Sequence, residues 1–163
     1  MKRLLLSSVV LLGVSACSSA TPYVAANIAS HHLNSSYNEF EEINPGISVG
    51  VDWTPSNWRY GGEAGLYRNS YGNRTIYTLG QTEYLISSKV GVGVFAGLAE
   101  YSELVNYHKS RGLPVVRDFV LIAGAMATYE PVSGYAIRVR VSPGGEAADA
   151  VFGLQFLFRF SNL

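Results

Sequence analysis

Apolar and polar side chains alternate with a period of two along much of the chain. In SKVGVGVFAGLAE, Val90, Val92, Val94, Ala96 and Leu98 share one face, and Gly91, Gly93, Phe95, Gly97 and Ala99 share the other. In GYAIRVRVS, Tyr135, Ile137, Val139 and Val141 oppose Ala136, Arg138 and Arg140. In VFGLQFLFRF, Phe152, Leu154, Phe156, Phe158 and Phe160 oppose Gly153, Gln155 and Arg159. Successive side chains of a strand point to opposite faces, so each segment has one strongly apolar face and one small or polar face. The pattern predicts eight strands, at about 23–34, 45–53, 59–69, 73–85, 89–100, 115–128, 133–142 and 150–160. It predicts no helical segment of note.

A half-buried sheet of a soluble sandwich gives the same alternation. Such a sheet carries charges on its outer face, whereas the non-apolar faces here are mostly Gly, Ala, Gln and a few Arg. Small residues suit the narrow lumen of a barrel. The expected fold is therefore all-β: an eight-stranded antiparallel transmembrane barrel of the outer-membrane type, apolar outside and polar inside. The connections support it. The first (SSYNEFEEIN) and fifth (YSELVNYHKSRGLP) are long, and the second, fourth and sixth are short. Long outer loops, short periplasmic turns and periplasmic termini are the habit of bacterial outer-membrane barrels. The third connection, around SYG, is short for an outer loop.

Composition sharpens this reading. The chain has 163 residues, enough for one domain, and is 48% hydrophobic with 11 Tyr, 7 Phe and 17 Gly. Residues 1–20 read as an export signal: Lys2 and Arg3, an apolar run too short to span a bilayer, then small residues. Cleavage is expected either after Ala20 or before Cys17, where VSAC resembles a lipobox and would make a lipoprotein; residues 21–163 form the barrel domain. After the signal, no apolar run is long enough for a transmembrane helix. Cys17 is the sole cysteine, which excludes an intrachain disulfide and a thiolate metal site. Without Lys2 and Arg3, the 12 basic residues become 10, against 12 acidic ones, and this balance gives no basis for nucleic-acid binding.

The strand order brings His31, His32, Asn69 and Ser70 to the same outer rim. A His can take a proton from a hydroxyl while a third group orients the ring. Such residues are also common as solvated loop residues. Asn69 and Ser70 are adjacent and cannot both point inward from a regular strand, so Ser70 is expected past the last regular pair.

From about Ile28 to Phe160 the chain resembles the PagP-type lipid A palmitoyltransferases. The likeness rests on SHHLN, on Tyr37, Asn38 and Glu39, on YRNSYG, GVGVFAG, Leu113–Val115 and Ser142–Gly144, and on the closing FRF, in order along the chain. It implies transfer of an acyl chain from phospholipid to lipid A at the outer leaflet of a Gram-negative outer membrane, by a monomer with no cofactor or metal. It places the family's His at His32, its Asp at Asn69 and its Ser at Ser70. Pro114 and Pro143 match strand-end prolines, where a missing N–H weakens strand pairing and lets a lipid enter sideways. Three features depart from the family: Asn69 in place of Asp, no room for a helix before the first strand, and SNL beyond the closing Phe. The alternative is a barrel without catalysis that binds lipid or lipopolysaccharide, with Lys109 and Arg111 near its phosphates. The enzyme reading expects an apolar slot with Gly91, Gly93 or Gly97 at its floor. The binding reading expects a lumen filled by Phe95, Tyr67, Arg138 and Arg140.

Overall fold

The computed structural model describes residues 20–35, 40–144 and 148–160. The signal segment with Cys17, the triplet Tyr37, Asn38 and Glu39, and the closing SNL lie outside the described residues. Nine strands follow in chain order: β1 (Ala20–Leu33), β2 (Ile43–Trp53), β3 (Trp58–Arg68), β4 (Arg74–Leu85), β5 (Val90–Glu100), β6 (Val115–Val116), β7 (Phe119–Val132), β8 (Tyr135–Pro143) and β9 (Ala150–Arg159). Every pairing is antiparallel. The eight long strands close into a barrel because β9 pairs with β1 and β5 pairs with β7. Closure removes the free edges that an open sheet would expose to lipid.

Two segments differ from the expected pattern. The sixth strand, expected at 115–128, is split. Arg117 takes a left-handed conformation at φ 58, so Val115–Val116 folds back on Phe119 and Val120 as a two-residue flap, and the long strand then runs on to Val132. The fifth connection also holds a helical segment that the alternation did not predict. A 3-10 turn (Ser102–Leu104) leads into a short helix, α1 (Val105–Ser110). Helices this short are held by tertiary contacts rather than by propensity, so the pattern carries little trace of them.

The apolar faces point outward as expected. Val92, Val94 and Leu98 on β5, Val139 on β8, and Phe152, Phe156 and Phe158 on β9 are all exposed. Trp53, Trp58, Tyr60 and Tyr84 form an aromatic band near the short-turn end, the usual position of side chains with an apolar body and a polar tip at a lipid–water boundary.

Ion pairs fill the short-turn half of the lumen. Glu63, on β3, is the hub. Its carboxylate accepts hydrogen bonds from Tyr23 (2.8 Å), Arg138 (3.1 Å), Arg140 (2.8 Å) and Gln155 (3.0 Å), and from Tyr77. A second layer lies nearer the short turns. There Arg159 meets Asp52 (3.1 Å) and Glu130 (2.9 Å), and Arg59 meets Glu83 (2.8 Å). Four carboxylates thus face four guanidinium groups, and the lumen network is neutral. Buried charges persist only when paired and hydrogen-bonded in this way.

Replacing Glu63 by Gln leaves Arg138 and Arg140 facing each other without a carboxylate. The expected cost is about 3–5 kcal/mol of barrel stability. Guanidinium unfolding in micelles, followed by tryptophan fluorescence, measures it. A loss below about 1 kcal/mol would show that Glu63 does not hold the lumen together.

Candidate functional site: a lumen cavity with a side opening

Above the Glu63 layer, toward the long loops, the lumen is empty of side chains and forms a cavity of about 400 Å³. Tyr77, Leu79, Phe95, Arg140 and Gln155 make its floor, and Tyr67, Tyr101, Ile122 and Gly153 line its walls. Tyr67 and Tyr101 share a hydrogen bond between their hydroxyls. Burial pushes the Tyr101 phenol up to about 12, so it stays neutral. A largely apolar slot thus lies above a polar plug held by Arg138 and Arg140, while Tyr67 and Phe95, expected to fill the lumen, line the slot instead.

The floor is not built from the glycines that the alternation suggested. A Cβ on Gly91 would sit 2.5 Å from the Glu83 carboxyl carbon, one on Gly93 2.7 Å from the Glu83 Cα, and one on Gly97 2.5 Å from the Leu79 Cα. Those glycines let β4 approach closely, and the floor falls to Phe95 and its neighbours Tyr77 and Leu79.

A β-bulge decides which histidine faces the cavity. Along β1, Tyr23, Ala25 and Asn27 point inward, and strict alternation would continue through Ala29 to His31. Opposite β9, however, Asn27 pairs with Gln155 and Ala29 with Leu154, so Ile28 is an extra residue. One inserted residue reverses the facing of everything after it. Ser30 and His32 therefore turn inward. His31 points out, exposed, with its Nδ1 2.8 Å from Glu42. The His32 ring stacks on Phe40 at 3.9 Å, and among the described residues its Nδ1 has no hydrogen-bond partner.

Ser70 reaches the same cavity, past the last regular β3–β4 pair, Arg68 opposite Arg74. Its hydroxyl lies 3.0 Å from that of Ser30, which donates to Asn44 at 2.5 Å. Asn69 is buried but turned away. Its Oδ1 accepts the backbone N–H groups of Tyr71 and Asn73, both at 3.0 Å, and its Nδ2 donates to Thr75 at 3.1 Å. The fold thus gathers His32 and Ser70 at one cavity and makes Asn69 the organiser of the turn that carries Ser70. Arg68 is outside, paired with Glu41 at 2.6 Å. Lys109 and Arg111 lie exposed at the end of α1, Arg111 over the Tyr107 ring.

The cavity also has a side opening. β8 pairs with β7 only as far as Val141 opposite Ala125, while it follows β9 on to Pro143 opposite Ala150. Among the described residues, 121–124 of β7 therefore have no strand partner on that side. Leu121 and Ala123, whose side chains face outward, line the cavity there together with Ser142 and Pro143. Pro143 has no N–H to extend the pairing.

His108, which sequence reasoning did not single out, braces this edge from α1. Its Nδ1 is 3.0 Å from the carbonyl of Leu104, and its Nε2 is 3.1 Å from the carbonyl of Leu121 on the unpaired stretch. Both partners are acceptors, and a neutral imidazole carries one N–H, so the two bonds form together only in the imidazolium. His108→Ala removes the brace. Amide exchange across residues 105–113 is then expected to speed up roughly tenfold, with the β-strand amides unchanged. Hydrogen–deuterium exchange followed by mass spectrometry checks this.

No family model and no curated protein matches the chain. Solved structures resemble it in fold, two of them as follows. The outer-membrane protein Ail of Yersinia pestis, in a phospholipid bilayer nanodisc, superposes with a TM-score of 0.51 over 87% of this chain and 100% of Ail, at 13% identity. A de novo designed transmembrane β-barrel superposes with a TM-score of 0.57 over 88% of this chain and 98% of the design, also at 13% identity. At that identity the likeness is one of architecture: a closed, eight-stranded antiparallel β-barrel of the kind built for membranes.

Proposed function

We propose that the protein draws one acyl chain of a membrane lipid into its lumen and transfers it in the manner of the PagP-type acyltransferases. The observation that carries this reading is the joining of the apolar cavity to the lipid-facing wall through the β7–β8 opening. A chain entering there would lie on the Phe95–Leu79 floor, with its ester near the long-loop rim.

The rim chemistry fits a transfer step. The His32 imidazole accepts the proton of the attacking lipid A hydroxyl. That oxygen forms the new ester bond at the carbonyl carbon. The old ester C–O bond breaks, and the leaving lysophospholipid oxygen takes the proton back from the imidazolium. Ser70 donates a hydrogen bond to the carbonyl oxygen as charge builds there. Asn69 acts through the turn that positions Ser70, without a charge of its own for the imidazolium. The step needs no cofactor or metal.

A second reading has one observation in its favour. The Asn69 side chain bonds to Tyr71, Asn73 and Thr75 rather than to His32, and Ser70 is bonded to Ser30, so the site also suits a barrel that holds a lipid chain without turning it over.

Mass spectrometry of lipid A from cells making the protein tests the first reading. The expected result is a palmitate-sized gain that His32→Ala abolishes. A Cβ on Gly153 meets nothing within 4 Å, so Gly153→Met fills the cavity without moving the wall and should shorten the chain transferred. No gain in the wild type or in Asn69→Asp, with the barrel inserted, overturns transfer. Lipid that co-purifies with the wild type but not with Gly153→Met would then establish the binding reading.

A further inference from the structure

The lipid-facing wall just below the side opening is not smooth. On β7, the exposed Ala125 and Ala127 form a low floor. Val94 and Val92 of β5 stand directly beside them on one side, and Val141 and Val139 of β8 on the other. Trp58, Thr82, Tyr84 and Phe152 also line this apolar groove. Its upper end meets the opening, because Ala125 and Val141 form the last β7–β8 pair and the cavity-lining Ala123 and Pro143 come next along each strand. From Ala123 to Ala127 the floor runs about 14 Å toward the short turns.

We infer that this groove is the seat of a second acyl chain, so that the barrel recognises a two-chain lipid astride the β7–β8 opening. One chain passes through the opening into the lumen. Its sister, joined to the same headgroup at the long-loop rim, descends the outer wall over Ala125 and Ala127. The inference rests on the lumen reading above and adds to it a binding place for the chain of the two-chain donor that does not enter the lumen. Continuity with the lumen cavity marks a lipid chain as the occupant. The groove begins where the lumen cavity reaches the wall and points as outer-leaflet chains point. Within a bilayer the gain comes from packing rather than from release of water, so a shaped groove matters more than apolar area.

Native mass spectrometry of the delipidated full-length mature barrel in detergent tests it. The two probes are phosphatidylcholine and lysophosphatidylcholine of the same chain length. The wild type should retain the two-chain lipid about three- to tenfold better than the one-chain lipid. Ala125→Phe, and separately Ala127→Phe, fill the groove from the lipid side. Each should remove that preference and leave lysophosphatidylcholine retention unchanged. Circular dichroism confirms the barrel in each variant, and the two substitutions guard against one failing to fold. Equal retention of the two lipids by the wild type, or an unchanged preference in both folded variants, overturns the groove and leaves the lumen reading standing. Gly153→Met should lower retention of both lipids; if it lowers neither, the lumen reading falls and the straddling lipid falls with it.

Discussion

The carboxylate of Glu63 is the constraint on which the rest of the barrel depends. A lumen this narrow admits little water, so Arg138 and Arg140 can be housed only against a negative partner. Glu63 supplies it, and Tyr23, Tyr77 and Gln155 saturate its remaining acceptor sites. These partners come from four other strands, β1, β4, β8 and β9, so one side chain on β3 ties most of the wall together. The charges of the layer below balance in the same way, and Arg59, far from Arg159 in sequence, reaches the same Glu130.

Because the polar network takes the short-turn half, the long-loop half is left to apolar side chains and empty space. The boundary is sharp. Arg140 and Gln155 belong to both, with polar groups on Glu63 and stems toward the cavity. Phe95 packs its ring face against the Arg140 guanidinium, 5.2 Å from the ring centre, where the ionic layer meets the cavity floor. A barrel filled throughout would be a rigid wall element. One filled to half its height has a floor, and its remaining volume is set by how far the strands extend above Glu63.

The opening in the wall has an equally local origin. β7 and β8 separate because Pro143 ends the N–H supply on one strand while β7 turns to pair with the short β6 flap. The unpaired backbone is not left bare. His108 reaches from the long loop to the Leu121 carbonyl, standing in for a strand that is absent there. A loop in which the alternation predicted no helix therefore carries the brace of the β7 stretch beyond its last β8 pair.

Much of this was legible in the residues. The alternation in β5, β8 and β9 determined which side chains meet lipid and which meet the lumen, and the lengths of the connections placed the two ends. These are consequences of the two-residue pleat and of the need to satisfy every backbone group in a membrane, and both act on each strand separately. The choice between His31 and His32 was not legible, because it depends on a bulge at Ile28 that exists only in the register against β9. The left-handed turn at Arg117, the turning of Asn69 away from the cavity and the close approach of β4 to Gly91 and Gly93 were hidden for the same reason. The sequence by itself determined the wall. The cavity, its opening and the residues that face it were decided by tertiary structure, because each depends on how strands distant in the chain are staggered against one another.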